Sequence, residues 1–310
     1  MSPNLRGALL MAASMACFTI NDTFLKSVSD EMSMFQAVFL RGMFSTLLMV
    51  AMAAATGGLR MRLAQRDRWT VLLRTFSEIA AAYFFITALF HMPIANANAI
   101  MQALPLTVTL AGALFLGEPV GWRRLSAILV GFLGVMLIVR PGAAGFTIYS
   151  VYAVCAVLCV TFRDLAARAV SVETPSMTVA VAASAGVWLF AGIGVAGEEW
   201  QPVSAGAMIN LAGASVMIVG GYFFSIATMR VGAIAVIAPF RYTSLLWALL
   251  LGFVVFGEWP DPVTLAGAAL VVATGIFTFR RERKLAREAA LQTGQGRARG
   301  LDVDNPADSL

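Results

Sequence analysis

Charge is scarce in this sequence, and histidine and cysteine are scarcer still. Lys, Arg, Asp and Glu make up 13% of the 310 residues and hydrophobic residues 59%, where soluble domains carry about 25% charged residues. With a mean hydropathy of +0.81, that balance excludes both a soluble globular chain and a domain on a single anchor. One histidine, His91, and three cysteines, Cys17, Cys155 and Cys159, give no metal-ligand spacing. Cys155 and Cys159 lie one helical turn apart in apolar sequence, as small packing residues do. Also missing are the Gly-x-x-x-x-Gly-Lys loop of a nucleotide-driven pump, a Gly-x-Ser-x-Gly elbow and a His-Glu-x-x-His run. No catalytic residue, metal or cofactor is therefore expected. The period-2 alternation of a membrane barrel is absent as well.

What the sequence has is long apolar runs. A membrane span needs about 20 mostly apolar residues, and ten candidates fall at roughly 5–26, 34–56, 70–91, 94–116, 122–140, 146–165, 175–197, 206–230, 232–256 and 262–280. The expected fold is an all-α membrane protein of ten transmembrane helices. The net charge of +5 does not point to nucleic acid, because 18 of the 22 basic residues fall on one side of such a ten-span arrangement. Asp30, Glu31, Glu198, Glu199, Glu258 and Asp261 fall on the other. By the positive-inside rule both termini are expected in the cytoplasm. Ser14-Met15-Ala16 has a small-x-small look, but the first span is expected to be retained. Beyond Phe279 the chain turns basic and then rich in Gly, Asp, Asn and Ala, so residues 281–310 are expected to form a basic, disordered cytoplasmic tail.

The second half repeats the first. Leu114-Phe115-Leu116-Gly117-Glu118-Pro119 returns as Val254-Val255-Phe256-Gly257-Glu258-Trp259-Pro260, each followed by an apolar stretch. Tyr83-Phe84-Phe85 and Ala88 return as Tyr222-Phe223-Phe224 and Ala227. Five spans per copy is an odd number, so the second copy must cross the membrane in the opposite sense, as in many secondary transporters. The duplicated Gly-Glu after spans four and nine, the prolines within those spans (Pro105, Pro239), the glycines that follow (Gly131, Gly134) and the small residues of Ala88 to Ala99 resemble the drug/metabolite transporter superfamily, in particular its EamA-type carriers. The resemblance covers residues 5 to 280. It implies two inverted five-helix repeats, 5–140 and 146–280, in a bacterial inner membrane, and the transport of small organic solutes.

Polar residues deep in the spans need a reason, since an ionised side chain in hydrocarbon costs at least ~2.5–3.5 kcal/mol. Lys26, Arg74, Arg140 and Arg230 sit at span ends, where the charge can snorkel to the headgroups. Asp22 stands one turn from Lys26, so either an Asp22–Lys26 pair or a place for Asn21 and Asp22 on a central cavity fits. Arg41 is either Asp22's partner or a substrate clamp. Glu78, one turn after Arg74, suggests an end-of-span ion pair, and Arg163-Asp164 either a similar pair or cavity residues. In span four Asn98 and Gln102 share a face ahead of Pro105, which removes the hydrogen bond to the Met101 carbonyl and bends the helix. In span nine Pro239 is followed by Arg241 and Tyr242, and an arginine so far into an apolar run must face a cavity, a carboxylate or a solute. Tyr83 and Tyr222 fall at matching places and offer stacking surfaces. Glu118 and Glu258 suggest end-of-helix devices.

The expected activity is secondary transport by alternating access, with substrate-binding residues Asn21, Asp22, Arg41, Tyr83, Asn98, Gln102, Tyr222, Arg241 and Tyr242 and hinges at Pro105 and Pro239. The expected partners are a small-molecule substrate and the bilayer, with no nucleic acid, in a monomer or homodimer. Within the resemblance riboflavin uptake comes first, followed by S-adenosylmethionine, amino acids or drugs. A non-transporting membrane assembly protein is the alternative from another class.

Overall fold

At membrane depth there is no water to satisfy backbone amides and carbonyls, so long apolar runs become helices. A computed structural model describes residues 3–56, 64–118, 120–142, 146–171, 173–229, 231 and 237–303. It contains ten helical spans long and apolar enough to cross a membrane: Pro3–Lys26, Met34–Ala55, Gln65–His91, Ile94–Leu116, Trp122–Val139, Ile148–Arg168, Ser176–Val195, Ala205–Thr228, Ala238–Phe256 and Pro262–Arg281. No strand occurs among the described residues. The ten-span fold expected from hydropathy is thus observed. Span three begins five residues earlier than expected, because its first turn, Gln65-Arg66-Asp67-Arg68, is helical but too polar for a hydropathy window to include. The last helix continues to Val303. Arg, Lys, Glu and Ala from Arg280 to Leu291 are good helix formers, so part of the tail expected to be disordered is helical. Residues 304–310 and Arg230 lie outside the described residues.

The packing follows the duplication. Span one lies chiefly on span eight and span six on span three, while span two meets span seven and span five meets span ten. Exchanging each span with the one five places away turns every pair into another pair of the set, or into itself. Neither half packs by itself, and almost every extensive interface joins one repeat to the other. Spans five and ten cross at a glycine pair. A Cβ on Gly134 would stand 2.8 Å from the Gly267 carbonyl oxygen, and a Cβ on Gly267 would stand 2.6 Å from that of Gly134. Small residues let helix backbones approach closely where hydrophobic burial gives no advantage over lipid.

Matching spans also end alike. Gly117 and Gly257 both take the left-handed conformation at φ 66°. The following N–H groups close the same seven-residue turn, Glu118 N to Gly112 O at 3.2 Å and Glu258 N to Gly252 O at 2.9 Å. This is a left-handed helix ending, which glycine adopts without steric cost. At the start of span ten the Asp261 carboxylate accepts the Val263 and Thr264 amides at 3.0 and 3.2 Å and the Thr264 hydroxyl at 2.8 Å, and it pairs with Arg140 from the end of span five. Partial burial raises the Asp261 carboxyl pKa, but the bonds from Thr264 and Arg140 outweigh it and hold the group down at about 2. Thus Arg140 does not simply snorkel; it ties the fifth span to the tenth.

Gly134→Leu should force spans five and ten apart and cost about 1–3 kcal/mol, the usual penalty of overpacking. Thermal unfolding of the detergent-solubilised protein reads this directly, and an unchanged midpoint would show that the close crossing is not needed.

Candidate functional site

Spans one to four and six to nine surround a central cavity of about 630 Å³, to which spans five and ten contribute no lining residue. Its walls are built in one repeat by Asn21, Asp22, Arg41, Asn98 and Gln102 and in the other by Arg163, Asp164, Tyr222, Arg241 and Ser244. An interrupted span and a span with a tight first turn face each other across it. Span four is interrupted at Gln102 and Ala103, between helices Ile94–Met101 and Leu104–Leu116. Span nine opens with a tight 3-10 turn, Ala238–Tyr242, before Thr243–Phe256. Pro105 and Pro239 each stand at the first or second position of the segment they begin, where the missing N–H costs nothing. Gln102 Nε2 donates to Ser244 Oγ at 2.6 Å and so joins the two spans.

On one wall Arg41, 6% exposed, donates from Nη1 to Asn21 Oδ1 at 3.3 Å, and Asn21 Nδ2 donates to Asp22 Oδ1 at 3.0 Å. Asn21 therefore stands between the two charges, which make no direct ion pair. The Nε of Arg41 is buried and has no partner. Asp22 does not pair with Lys26, which points away from the cavity. Arg241 likewise lines the cavity and is held by no hydrogen bond or ion pair among the described residues.

The other charges of the lining neutralise one another. Glu78 takes Arg163 at 3.2 Å and Arg74 at 3.7 Å, and Arg163 also holds Asp164 at 2.8 Å. This four-residue cluster joins span three to span six. Sequence spacing gives the Arg74–Glu78 and Arg163–Asp164 pairs separately. That Glu78 reaches Arg163, 85 residues away, depends on the packing of those two spans and has no local signal.

Two expected site residues lie elsewhere. Tyr83 belongs to an aromatic cluster with Phe35, Phe84, Tyr152 and Phe190, at centroid distances of 5.4–6.2 Å, and is not in the lining. Tyr242 is buried against Gly275 and Phe279 of span ten, one residue round the turn from Arg241. Of the matched tyrosines only Tyr222 lines the cavity, with Phe18 edge-on to it at 5.5 Å. His91 stacks on Tyr149 at 4.1 Å, outside the cavity.

The two ends of the molecule differ. Beyond Asp22, on the side away from the termini, side chains of seven spans pack into one apolar plug that includes Leu25, Val28, Leu89, Ile94 and Leu211, all fully buried. Lys26 lies in it with all three ammonium donors used: Glu258 at 3.2 Å and the Leu89 and Met92 carbonyls at 3.3 and 2.6 Å. Glu258 also accepts the Ile94 amide at 3.1 Å, capping span four. Arg168, the last residue of span six as Lys26 is of span one, pairs with Glu118 at 2.8 Å, but both side chains are nearly half exposed. Ala167 lines the cavity, whereas Leu25, before Lys26, is shut inside the plug. The cavity thus extends toward the end that carries the termini and is closed at the other.

A cavity shared by inverted repeats of an integral multi-pass membrane protein, with irregular helical turns at its centre, is the architecture of a solute carrier. The EamA-like transporter family matches residues 5–140, the first five spans. The resemblance drawn from the duplicated motifs is borne out. The chain is similar to the S-adenosylmethionine uptake transporter of Rickettsia conorii, 24% identical over 87% of this chain and 91% of that one. It is also similar to the pseudopaline exporter CntI of Pseudomonas aeruginosa, at 26% over 89% and 97%, and to the riboflavin transporter of Vibrio cholerae, at 27% over 91% and 96%. A solved crystal structure superposes with a TM-score of 0.64 at 18% identity, covering 90% of this chain and 98% of its own, which speaks to the fold alone. These relatives are transporters with different solutes, and they support a transporter role.

Glu78→Ala would leave Arg74 without its carboxylate and Arg163 with half its neutralisation. A loss of about 1–3 kcal/mol in thermal unfolding is expected. Arg241→Ala, which breaks no ion pair, should instead leave abundance and melting unchanged while abolishing solute flux; normal flux would remove Arg241 from the site.

Proposed function

We propose that the protein is a secondary carrier that moves a small organic metabolite across a bacterial inner membrane by alternating access. The observation that supports this is the asymmetry of a duplicated structure: a cavity shared by both repeats, plugged at one end only. Repeat 5–140 supplies Lys26 and repeat 146–280 supplies Glu258 at the closed end. At the open end the contributions are reversed, with Arg168 from the second repeat and Glu118 from the first. Rocking one repeat against the other would bury the Arg168–Glu118 pair and release Lys26–Glu258, with the turns led by Pro105 and Pro239 as hinges. The bias of basic residues puts the termini, and so the open end, in the cytoplasm. An assembly protein would have no need of Arg241 held free in a cavity.

Riboflavin is the solute suggested first by the family resemblance. The Vibrio cholerae relative supports it, as do Phe18, Phe85 and Tyr222 as ring surfaces with Asn98 and Gln102 as hydrogen-bonding groups. A neutral ring, however, gives Arg41, Asp22 and Arg241 nothing to neutralise. Those three groups favour the second reading, a charged solute of the S-adenosylmethionine or amino-acid kind.

Alternation is tested by thiol accessibility in a background freed of Cys17, Cys155 and Cys159. Ala167→Cys should react with a membrane-impermeant maleimide and Leu25→Cys should be protected. Adding Glu258→Gln to weaken the plug should raise labelling at position 25 severalfold and lower it at 167. Labelling at both sites that ignores Glu258→Gln would overturn the exchange of states.

A further inference from the structure

With Gly117 matched to Gly257, the first residues of spans five and ten, Trp122 and Pro262, match as well. The duplication therefore gives each contact between these two spans a mate at the opposite end of the pair. A Cβ on Gly134 would stand 2.9 Å from Val271 Cγ2, and in the mate of that contact a Cβ on Gly131 would stand 2.8 Å from Thr274 Oγ1. Two other contacts have no such counterpart. The mates of Gly134 and Gly267, the close crossing, are Thr274 and Ala127, which carry side chains. The mates of Arg140 and Asp261, the ion pair, are Arg280 and Gly121, and glycine brings no carboxylate.

At that end spans five and ten part into a groove of about 450 Å³ that shares no residue with the central cavity. Ala127, Ala273 and Thr274 line it between Trp122 and Phe277, which are 74% and 47% exposed. Its hydroxyls are already spent. Thr274 Oγ1 donates to the Leu270 carbonyl at 2.8 Å and Ser126 Oγ to that of Arg123 at 3.0 Å. The wall is thus apolar, while the rim is basic. Arg123 stands over the Trp122 ring, its guanidinium carbon 5.4 Å from the centroid, and Arg280 follows Phe277 by one helical turn. From Trp122 to Val130 the span rises about 12 Å, so the groove runs from headgroup level into the hydrocarbon.

We propose that this groove holds an anionic phospholipid of the leaflet on the side of the termini. One acyl chain lies against Ala127, Ala273 and Thr274, and the phosphate lies between Arg123 and Arg280 beside Gly121. There it stands in for the carboxylate that Asp261 supplies at the other end, and it ties span five to span ten as Arg140–Asp261 does. Guanidinium groups take phosphate oxygens through paired N–H bonds, and a basic rim prefers a headgroup of net negative charge to a zwitterionic one. A second copy in the same orientation, or the chain's own basic tail, would bring arginines to the same rim and meet like charge. The site requires only that the chain spans a bilayer, so it does not depend on solute flux.

Native mass spectrometry of the full chain in detergent tests it, with phosphatidylglycerol and phosphatidylethanolamine of identical acyl chains as probes. Phosphatidylglycerol should be retained about tenfold more tightly and should raise the thermal midpoint. Glycerol phosphate, which lacks the chains, should do neither. Arg123→Gln together with Arg280→Gln should weaken phosphatidylglycerol binding about tenfold. Ala273→Phe, which fills the groove and leaves the rim intact, should also weaken it. Arg6→Gln together with Arg66→Gln, which removes two basic residues of the same side from other spans, should change nothing. Size-exclusion profiles and midpoints measured without lipid separate lost binding from lost folding. Equal retention of the two lipids, an equal loss in the Arg6 and Arg66 variant, or undiminished binding by Ala273→Phe would overturn the site. So would a dimer that forms without lipid and protects Ala273→Cys from a maleimide.

Discussion

Hydrocarbon offers a charged side chain no water, so every ion placed between these spans must be neutralised by another or reserved for something that arrives. The rest of the structure depends on how that constraint is met. Three of the four cavity arginines and all the carboxylates come from spans one, two, three and six, and the fourth arginine from span nine. No one helix could hold them. Span six brings Arg163 to Glu78, and the loop after span nine brings Glu258 to Lys26. Neither partner belongs to the repeat of the residue it neutralises. The two copies are therefore electrostatically incomplete alone and complete together.

Much of this was legible in the sequence. The ten spans, the duplication and the Gly-Glu endings follow from hydropathy and from two short motifs, because these are local properties of the chain. The prolines announced the irregular turns of spans four and nine, and Asn21, Asp22, Arg41, Asn98, Gln102, Tyr222 and Arg241 all line the cavity. Polarity inside an apolar run is itself the signal, since bilayer physics leaves few other reasons for it. What the sequence withheld depends on which face of a helix turns inward. Tyr83 and Tyr222 occupy matched positions, yet only the second faces the cavity. Tyr242 follows Arg241 by one residue, and a tight 3-10 turn is enough to aim the two at different neighbours. Ion-pair partners were the other blind spot. Spacing along one helix suggested Asp22 for Lys26, while the fold gave Lys26 to Glu258 through a contact more than two hundred residues long.

Symmetry in the sequence is not symmetry in the structure. Lys26 and Arg168 end matching spans and pair with matching glutamates, but one pair is sealed into an apolar plug and the other borders solvent. A duplicated chain caught with one end closed already contains, in its second copy, the parts to close the other. The account's central claim is that these two ends exchange states. It is tested most directly by pulsed dipolar spectroscopy on the protein in lipid nanodiscs, with one spin-label pair spanning the plugged end and a second pair spanning the end beside the termini. Two distance populations at each end are predicted, shifting in opposite directions when an accepted solute is added. A single distance at both ends, unmoved by that solute, would contradict it.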